Sequence, residues 1–227
     1  MFKIHMADKQ AEIYLYGDIG GGMWGDGITS KQFSEEMAKV PATKNISLRI
    51  NSSGGDVFEG VAIYNQLKRH KATVSVDVDG AALSIASVVA MAASPGELRM
   101  ADNAFMMIHD PWMWVVGGAE DLRKKANYLD QVRENCLDIY SNRTGGDRDT
   151  IGEQMAAETW FNASEAVAAG FATSVGQTMA VAACKDRSLF QYKNTPADLP
   201  VGPGGIEPEQ WSEENKRRMA EIERRMR

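Results

Sequence analysis

The sequence is poor in the residues that form covalent or metal cross-links. Its 227 residues include only two cysteines, Cys136 and Cys184, and three histidines. Two distant cysteines cannot build a disulfide framework, and no closely spaced Cys/His set is present that would hold zinc. This cysteine usage fits a reducing compartment, so we expect a cytoplasmic protein.

Long apolar runs are also missing. The N-terminal stretch lacks the uninterrupted apolar core of a signal peptide, and runs such as Val88–Ala93 fall far short of the ~18 residues that a membrane helix needs. The net charge of -6 gives no electrostatic reason to expect nucleic acid or an anionic membrane as a partner. With 44% hydrophobic residues, the composition is that of an ordinary globular protein.

The composition changes near residue 185, which predicts three regions. Residues 1–185 alternate short β-like runs with helical patterns and are long enough for one domain. Residues 186–210 are rich in proline and glycine and predict a linker, because these residues sustain neither helix nor sheet. Residues 211–227 are highly charged and predict a solvated or partner-binding helix.

The body of the chain predicts an α/β fold. Four short runs bounded by Gly, Asn or Asp are rich in β-branched or aromatic residues and predict strands: 12–17, 46–51, 74–80 and 104–109. Between the second and third runs, apolar residues recur at helical spacing over residues 57–70. A strand, helix and strand in this order form a β-α-β crossover, which requires parallel strands.

Two more helices follow the last predicted strand. Apolar residues recur at spacings of three and four from Leu122 to Ile139, which predicts a long amphipathic helix ending near the glycines at 145 and 146. The segment 162–170 predicts a short helix, with Asn162 as N-cap, Glu165 completing a capping box, and Gly170 as the stop.

Two serines lie in a run of small and aliphatic residues, "GAALSIASVVAMAA", at positions 80–93. Ser84 falls at the start of a predicted buried helix, close to unpaired N–H groups and to the positive end of the helix dipole, where an oxyanion is stabilised. The alternative is that Ser84 is an ordinary N-cap. Ser87 lies one turn further and is expected to bond back to the helix backbone.

Two other features contain groups that a hydrolytic site uses. Gly54 and Gly55 directly follow a predicted strand, where the backbone can turn sharply and offer bare N–H groups. His109 ends an apolar strand, from which its side chain can reach a cleft; a satisfied core or rim residue is the alternative. His5 and His70 are the only other candidates for a general base.

Four motifs, in this order and spacing, resemble the proteolytic subunit of the Clp protease and the Clp-like head-maturation proteases of phages. They are "INSSGGDVFEGVAIYNQLK", "GAALSIASVVAMAA", "MMIHDP" and "WFNASEAVAAG", and the resemblance covers residues 10–180. It implies a β-β-α superhelix of the Clp protease and crotonase type, with parallel sheets. It also implies a protruding handle made of a strand and a helix, within residues 110–140. The charged residues 211–227 add the C-terminal helical tail predicted above from composition.

The resemblance also implies roles for individual residues. Ser84, four residues after Gly80, matches the nucleophile, and His109 matches the general base. Gly55 and Ile85 match the residues whose N–H groups form the oxyanion hole. The implied reaction is acyl transfer in a serine endopeptidase, which needs neither a metal nor another cofactor.

Three departures from the family pattern stand out. Ser53 occupies a position that is usually proline, the nucleophile motif differs in composition, and Glu158 occupies the position of the catalytic aspartate. A glutamate can orient and stabilise an imidazolium as an aspartate does, so Glu158 is the predicted triad acid. Asp147 and Asp149 are the alternatives, and are equally typical of turn and cap residues.

These departures, together with the linker and charged tail of residues 186–227, favour a phage or prophage capsid (prohead) maturation protease. Such a protease would act in the cytoplasm of a bacterium or infected host, or inside a procapsid. The partners implied are a protein or peptide substrate, copies of the same chain in a ring, and capsid or scaffold proteins. The alternatives are an ATPase-dependent degradative Clp subunit that docks a ring ATPase, a crotonase-like enzyme acting on acyl-CoA, and a scaffold subunit that kept the fold but lost catalysis.

Overall fold

The structure is a computed structural model that describes residues 2–6, 10–21, 27–177 and 192–196. These residues form eight strands and six helices. The strands are β1 (Phe2–Met6), β2 (Gln10–Tyr16), β3 (Asn45–Ser52), β4 (Val74–Leu83), β5 (Leu98–Ala101), β6 (Phe105–Ile108), β7 (Thr159–Asn162) and β8 (Ser174–Gly176). The helices are α1 (Ser30–Met37), α2 (Val57–Lys68), α3 (Ile85–Ala90), α4 (Ala119–Thr144), α5 (Arg148–Ala156) and α6 (Ala163–Ala168).

All eight strands belong to one sheet, in which most neighbours are parallel. The main path runs β1-β2-β3-β4-β5-β8, and α2 crosses over between the parallel strands β3 and β4 as predicted. The predicted α/β class is therefore confirmed. Two pairs, β1 with β2 and β6 with β7, are antiparallel, so the sheet is mixed rather than wholly parallel.

Strand β4 is the branch point of the sheet. Its first half pairs with β5, where Val76 lies opposite Leu98, and its second half pairs with β6, where Leu83 lies opposite Met107. Because both pairings are parallel, β4 and β6 end at the same edge. Strand β7 then adds to β6 in the antiparallel sense and begins at that edge.

Local sequence signals account for the helix boundaries. Asp56 caps α2 through its side chain, which accepts hydrogen bonds from two N–H groups in the first turn. Asn162 and Glu165 form the predicted capping box of α6. Helix α4 ends at Gly145, which adopts a left-handed conformation with φ of 65°, close to the predicted stop.

Helix α3 is buried and is fixed to α4 by a polar contact in the core. All six of its residues are buried. The Ser87 hydroxyl donates to the Ser84 carbonyl at 2.6 Å, as predicted, and lies 2.7 Å from the Tyr140 hydroxyl. Both side chains are almost fully buried, so this hydrogen bond satisfies two groups that water cannot reach.

The handle differs in part from the expectation. Its helix is present as α4, but residues 109–118 form no strand. A strand is defined by a ladder of hydrogen bonds to a neighbouring strand. The Asp110 N–H donates to the Met155 carbonyl at 3.1 Å, which is a contact with a helix, and Pro111 lacks a donor. The predicted C-terminal helix 211–227 and Cys184 lie outside the described residues.

Neither a membrane-spanning helix nor a metal-binding cluster occurs among the described residues. Their helices include none whose length and hydrophobicity would allow it to cross a membrane. The same residues contain no group of three or more His, Cys, Asp or Glu side chains able to hold a metal ion.

The buried pair of hydroxyls gives Ser87 a measurable structural role. Ser87→Ala leaves the Tyr140 hydroxyl without this partner, so we expect the free energy of unfolding to fall by about 1–3 kcal/mol. Chemical denaturation followed by tryptophan fluorescence measures the change. An unchanged denaturation midpoint would show that the pair contributes nothing.

Candidate active site

The register of three strands brings the predicted nucleophile, base and acid to one place. Leu83, the last residue of β4, lies opposite Met107 in β6. Ser84 directly follows β4, and His109 directly follows Ile108, the last residue of β6, so the two residues lie at neighbouring strand ends. Ile108 lies opposite Thr159 in the antiparallel pair, so Glu158 lies beside His109. Residues 84, 109 and 158 therefore meet at the edge where β4 and β6 end.

Ser84 occupies a strained turn between β4 and α3. Its backbone has φ of 55° and ψ of -129°, a region that side-chain-bearing residues rarely adopt, and its side chain makes no N-cap hydrogen bond. Its Oγ instead lies 2.7 Å from Nε2 of His109. The N-cap interpretation of the Ser84 hydroxyl is thus not what the structure shows.

Two glycines allow the loop after β3 to pack against this turn. Gly54 and Gly55 have φ of 98° and 140°. A Cβ on Gly54 would come within 2.7 Å of the Ser84 Cβ and the Leu83 carbonyl oxygen, and a Cβ on Gly55 would lie 2.0 Å from the Ile19 carbonyl oxygen. Only residues without a side chain allow this approach.

The glycine loop and the Ser84 turn each contain a backbone N–H group that can serve a ligand, that of Gly55 and that of Ile85. The Gly54 carbonyl and the Asp56 N–H pair with Ile19, so the Gly55 N–H is directed away from that contact. Ile85 is the first residue of α3, where an N–H has no partner within the helix. Such groups can donate to an anionic oxygen.

The His109 side chain is partly buried, and its surroundings act on its pKa in two directions. Burial disfavours the imidazolium and lowers the pKa, while the negative charges of Glu158 and Asp110 raise it by a smaller amount. The net pKa lies below the ordinary value for histidine. Asp110 is itself held by Arg133 of α4, whose Nε donates to it at 2.8 Å.

Glu158 is close enough to influence His109 but is held by other donors. Its Oε1 accepts from the Asn194 N–H at 2.7 Å and from Trp160 Nε1 at 3.3 Å, and its Oε2 accepts from the Lys193 N–H at 2.9 Å. Within the described part of the chain, no hydrogen bond joins its carboxylate to His109. Its backbone has φ of 51°, the left-handed region.

The structure places the alternative acids elsewhere. Asp147 is the N-cap of α5, and its carboxylate accepts from the backbone and hydroxyl of Thr150. Asp149 lies in the first turn of the same helix. The negative charges that raise the His109 pKa are those of Glu158 and Asp110. The other histidines are also engaged away from Ser84: His70 bonds to the Lys44 carbonyl and His5 packs on Tyr14.

Sequence reasoning missed the contribution of residues 192–196, which we call the strap. The Tyr192 ring lies edge-on to His109, with centroids 5.5 Å apart, and its hydroxyl donates to the Ser53 carbonyl at 2.6 Å. The strap falls in the region predicted as a linker, where no periodic pattern marks it for packing. The domain boundaries remain a prediction.

A cleft of about 490 Å³ opens over these groups. Its lining includes Ser84, His109 and Gly55, and aromatic side chains from α4, the 109–118 segment and the strap. The Ser84 hydroxyl and the His109 imidazole thus line a space that can admit a peptide.

A model of the Clp protease family matches residues 4–179. The chain belongs to this family. One relative is the "ATP-dependent Clp protease proteolytic subunit 1" of Chlamydia muridarum, which is 32% identical over 63% of this chain and 79% of that protein. Another is the ATP-dependent Clp protease proteolytic subunit of Leuconostoc citreum, which is 33% identical over 72% of this chain and 81% of that protein. The subunit 1 of Borreliella burgdorferi is 28% identical over 74% and 84%.

Membership of this family confirms that the chain is a serine peptidase, as predicted. The family match also favours peptide hydrolysis over the acyl-CoA alternative. The three relatives are bacterial Clp subunits, so the predicted phage subtype stays a prediction.

The opposing effects on His109 can be measured directly. We expect its imidazole to titrate below the ordinary histidine pKa, because burial outweighs the two neighbouring carboxylates. Asp110→Asn removes one of the charges that raise the pKa, so it should lower the pKa further. NMR titration of the ring signals, assigned by comparison with His109→Ala, measures both values; a His109 pKa at or above that of an exposed histidine would contradict the expectation.

Proposed function

We propose that this chain is a serine endopeptidase in which Ser84 is the nucleophile, His109 the general base and Glu158 the acid. The observation that carries the proposal is the 2.7 Å contact between Ser84 Oγ and His109 Nε2 at the floor of an open cleft. A base within hydrogen-bond distance of a hydroxyl is the requirement for activating that hydroxyl.

In the proposed reaction, His109 Nε2 takes the Ser84 proton as Oγ attacks the carbonyl carbon of a peptide bond. The resulting imidazolium gives this proton to the leaving amine, the C–N bond breaks, and an acyl-enzyme remains. Water then attacks the ester with His109 again as base, releasing the carboxylic acid and restoring Ser84. The lowered pKa keeps His109 neutral, and therefore able to accept a proton, at neutral pH.

The N–H groups of Gly55 and Ile85 are the proposed oxyanion hole. The packing of the glycine loop against the Ser84 turn supports this assignment, since a Cβ on Gly54 would lie 3.3 Å from the Ile85 nitrogen. Donors on two sides of the nucleophile stabilise the charge that develops on the carbonyl oxygen.

Glu158 contributes through its charge in this proposal. Its carboxylate raises the pKa of His109 and so stabilises the imidazolium that forms during the reaction. The position beside His109, set by the β6–β7 register, supports Glu158 over Asp147 and Asp149.

Labelling with a fluorophosphonate tests the proposal. We expect this serine-directed probe to label the full-length protein and the Ser84→Ala variant to lose both labelling and peptide hydrolysis, because Ser84 Oγ is the hydroxyl hydrogen-bonded to His109. Ser87→Ala, three residues away, is the matched control and should still be labelled in its folded fraction. Labelling that survives Ser84→Ala would remove Ser84 from the mechanism, and an unlabelled parent would favour the non-enzymatic scaffold.

We also propose that the enzyme works as a homo-oligomeric ring. The 109–118 segment carries Trp112 and Trp114, which are 60% and 78% exposed in the single chain, followed by Val116 at 98%. Adjacent large apolar side chains are rarely left in water, so a second copy of the chain is the proposed cover. A neighbouring copy would also supply the strand partner that this segment lacks.

Capsid maturation is the proposed biological role, with ATPase-dependent degradation as the alternative. Three features support the first role: Glu158, Ser53 and the 48 residues that lie beyond the family match. The match ends at residue 179 of 227. The relatives named ATP-dependent proteolytic subunits support the second.

The two roles differ in cofactor need and in products. If maturation is correct, we expect genes for portal and major capsid proteins beside the gene for this chain. Co-expression with the encoded capsid or scaffold protein should then give a few discrete fragments without any ATPase, and none with Ser84→Ala. A neighbouring Clp-type ATPase gene, together with cleavage of unfolded protein only when that ATPase and ATP are added, would overturn the maturation role.

A further inference from the structure

Residues 192–196 contact three separate parts of the candidate site. Two backbone N–H groups of the strap hold the Glu158 carboxylate, the Tyr192 ring lies against His109, and the Tyr192 hydroxyl binds the Ser53 carbonyl just before the glycine loop. A segment that only covered the surface would not need to engage the acid, the base and the loop together.

The contacts restrict Glu158 in particular. A glutamate has one more rotatable bond than an aspartate, so holding its carboxylate in one place costs more conformational entropy. The two strap N–H groups bind one oxygen each, and the Trp160 indole binds Oε1 as well. The Asn194 side chain anchors the strap to the Ala157 carbonyl at 2.6 Å.

The strap leaves the nucleophile accessible. Tyr192 forms part of the wall of the cleft, while Ser84 and His109 still line the open space. On its other side Tyr192 packs on Trp160, with ring centroids 5.8 Å apart, and on a small buried cluster of Ala81, Leu83 and Met107. This placement is that of a supporting wall.

We propose that the strap is a positioning element of the active site, which holds the long side chain of Glu158 beside His109 through the N–H groups of Lys193 and Asn194. The proposal rests on the proposed function, since it assigns the strap to the triad acid. It explains how a glutamate serves at a position where the family pattern has the shorter aspartate.

The test compares two substitutions at one residue. Lys193→Pro removes the N–H that donates to Glu158 Oε2, whereas Lys193→Ala changes the same exposed side chain and keeps that N–H. In full-length protein, we expect the second-order rate of fluorophosphonate labelling to be about tenfold lower for Lys193→Pro than for Lys193→Ala. Equal rates would overturn the proposal, and so would a faster rate for Lys193→Pro, which would mean that the strap restrains the enzyme.

A double-mutant cycle separates positioning from general damage. The carboxylate of Glu158→Asp is one methylene short of the strap, so the ratio between the two Lys193 variants should shrink to within about twofold in that background. A tenfold ratio that persists would show that the strap acts through something other than the acid. Thermal unfolding of each variant confirms that folded protein is compared.

The pH dependence of labelling gives a second readout. The charged and titratable groups around His109 are Glu158, Asp110 with its partner Arg133, and Tyr192, with Asp18 and Asp56 elsewhere in the cleft wall. If Lys193→Pro lets the Glu158 carboxylate move away, His109 loses a charge that raises its pKa, and the acid limb should move to lower pH. An unmoved limb in a variant with slowed labelling would contradict the positioning role.

An unlabelled parent protein would reject the proposed function itself. A parent that labels normally, with Lys193 variants that match, rejects only the role of the strap. The two failures are therefore distinguishable.

Discussion

The contact between Ser84 and His109 depends on one strand, β4, pairing with two different partners along its length. A strand that paired with β5 throughout would leave no room for β6, and His109 would have no place beside Ser84. The change of partner puts the ends of β4 and β6 side by side. Every other feature of the site, from the glycine loop to the strap, is arranged around the pair of residues that follow those two ends.

The turn at Ser84 stores strain that the surrounding structure holds in place. A left-handed φ at a serine costs on the order of 1–3 kcal/mol and persists only where neighbours enforce it. Buried α3 continues directly from the turn, and Ser87 binds the Ser84 carbonyl from within that helix. Gly54 closes the opposite side without a side chain. The small residues in the run 80–93 therefore serve packing, and the two hydroxyls within it have different roles.

Much of this arrangement was predictable from the sequence, since Gly55, Ser84 and His109 each follow a strand-like run in a recognisable motif. The β-α-β order also predicted parallel strands correctly. Strand order was not predictable in the same way, because nothing in a single strand's sequence specifies that β4 changes partner or that β7 adds to β6. The strap was missed for a related reason: its contacts are made by backbone N–H groups, which every residue except proline has, so no residue type reveals them.

The electrostatics of His109 reflect a balance between burial and charge. Burial alone would keep the imidazole neutral but would also make the imidazolium costly to form during a reaction. The carboxylates of Glu158 and Asp110 offset part of that cost, and Arg133 prevents Asp110 from acting as a free charge. Among the described residues, the hydrogen bonds to the Glu158 carboxylate come from neutral N–H groups and none comes from a cation. A charge fixed by neutral donors can stabilise a transient cation more effectively than one already paired with arginine, which supports the proposal of Glu158 as the acid.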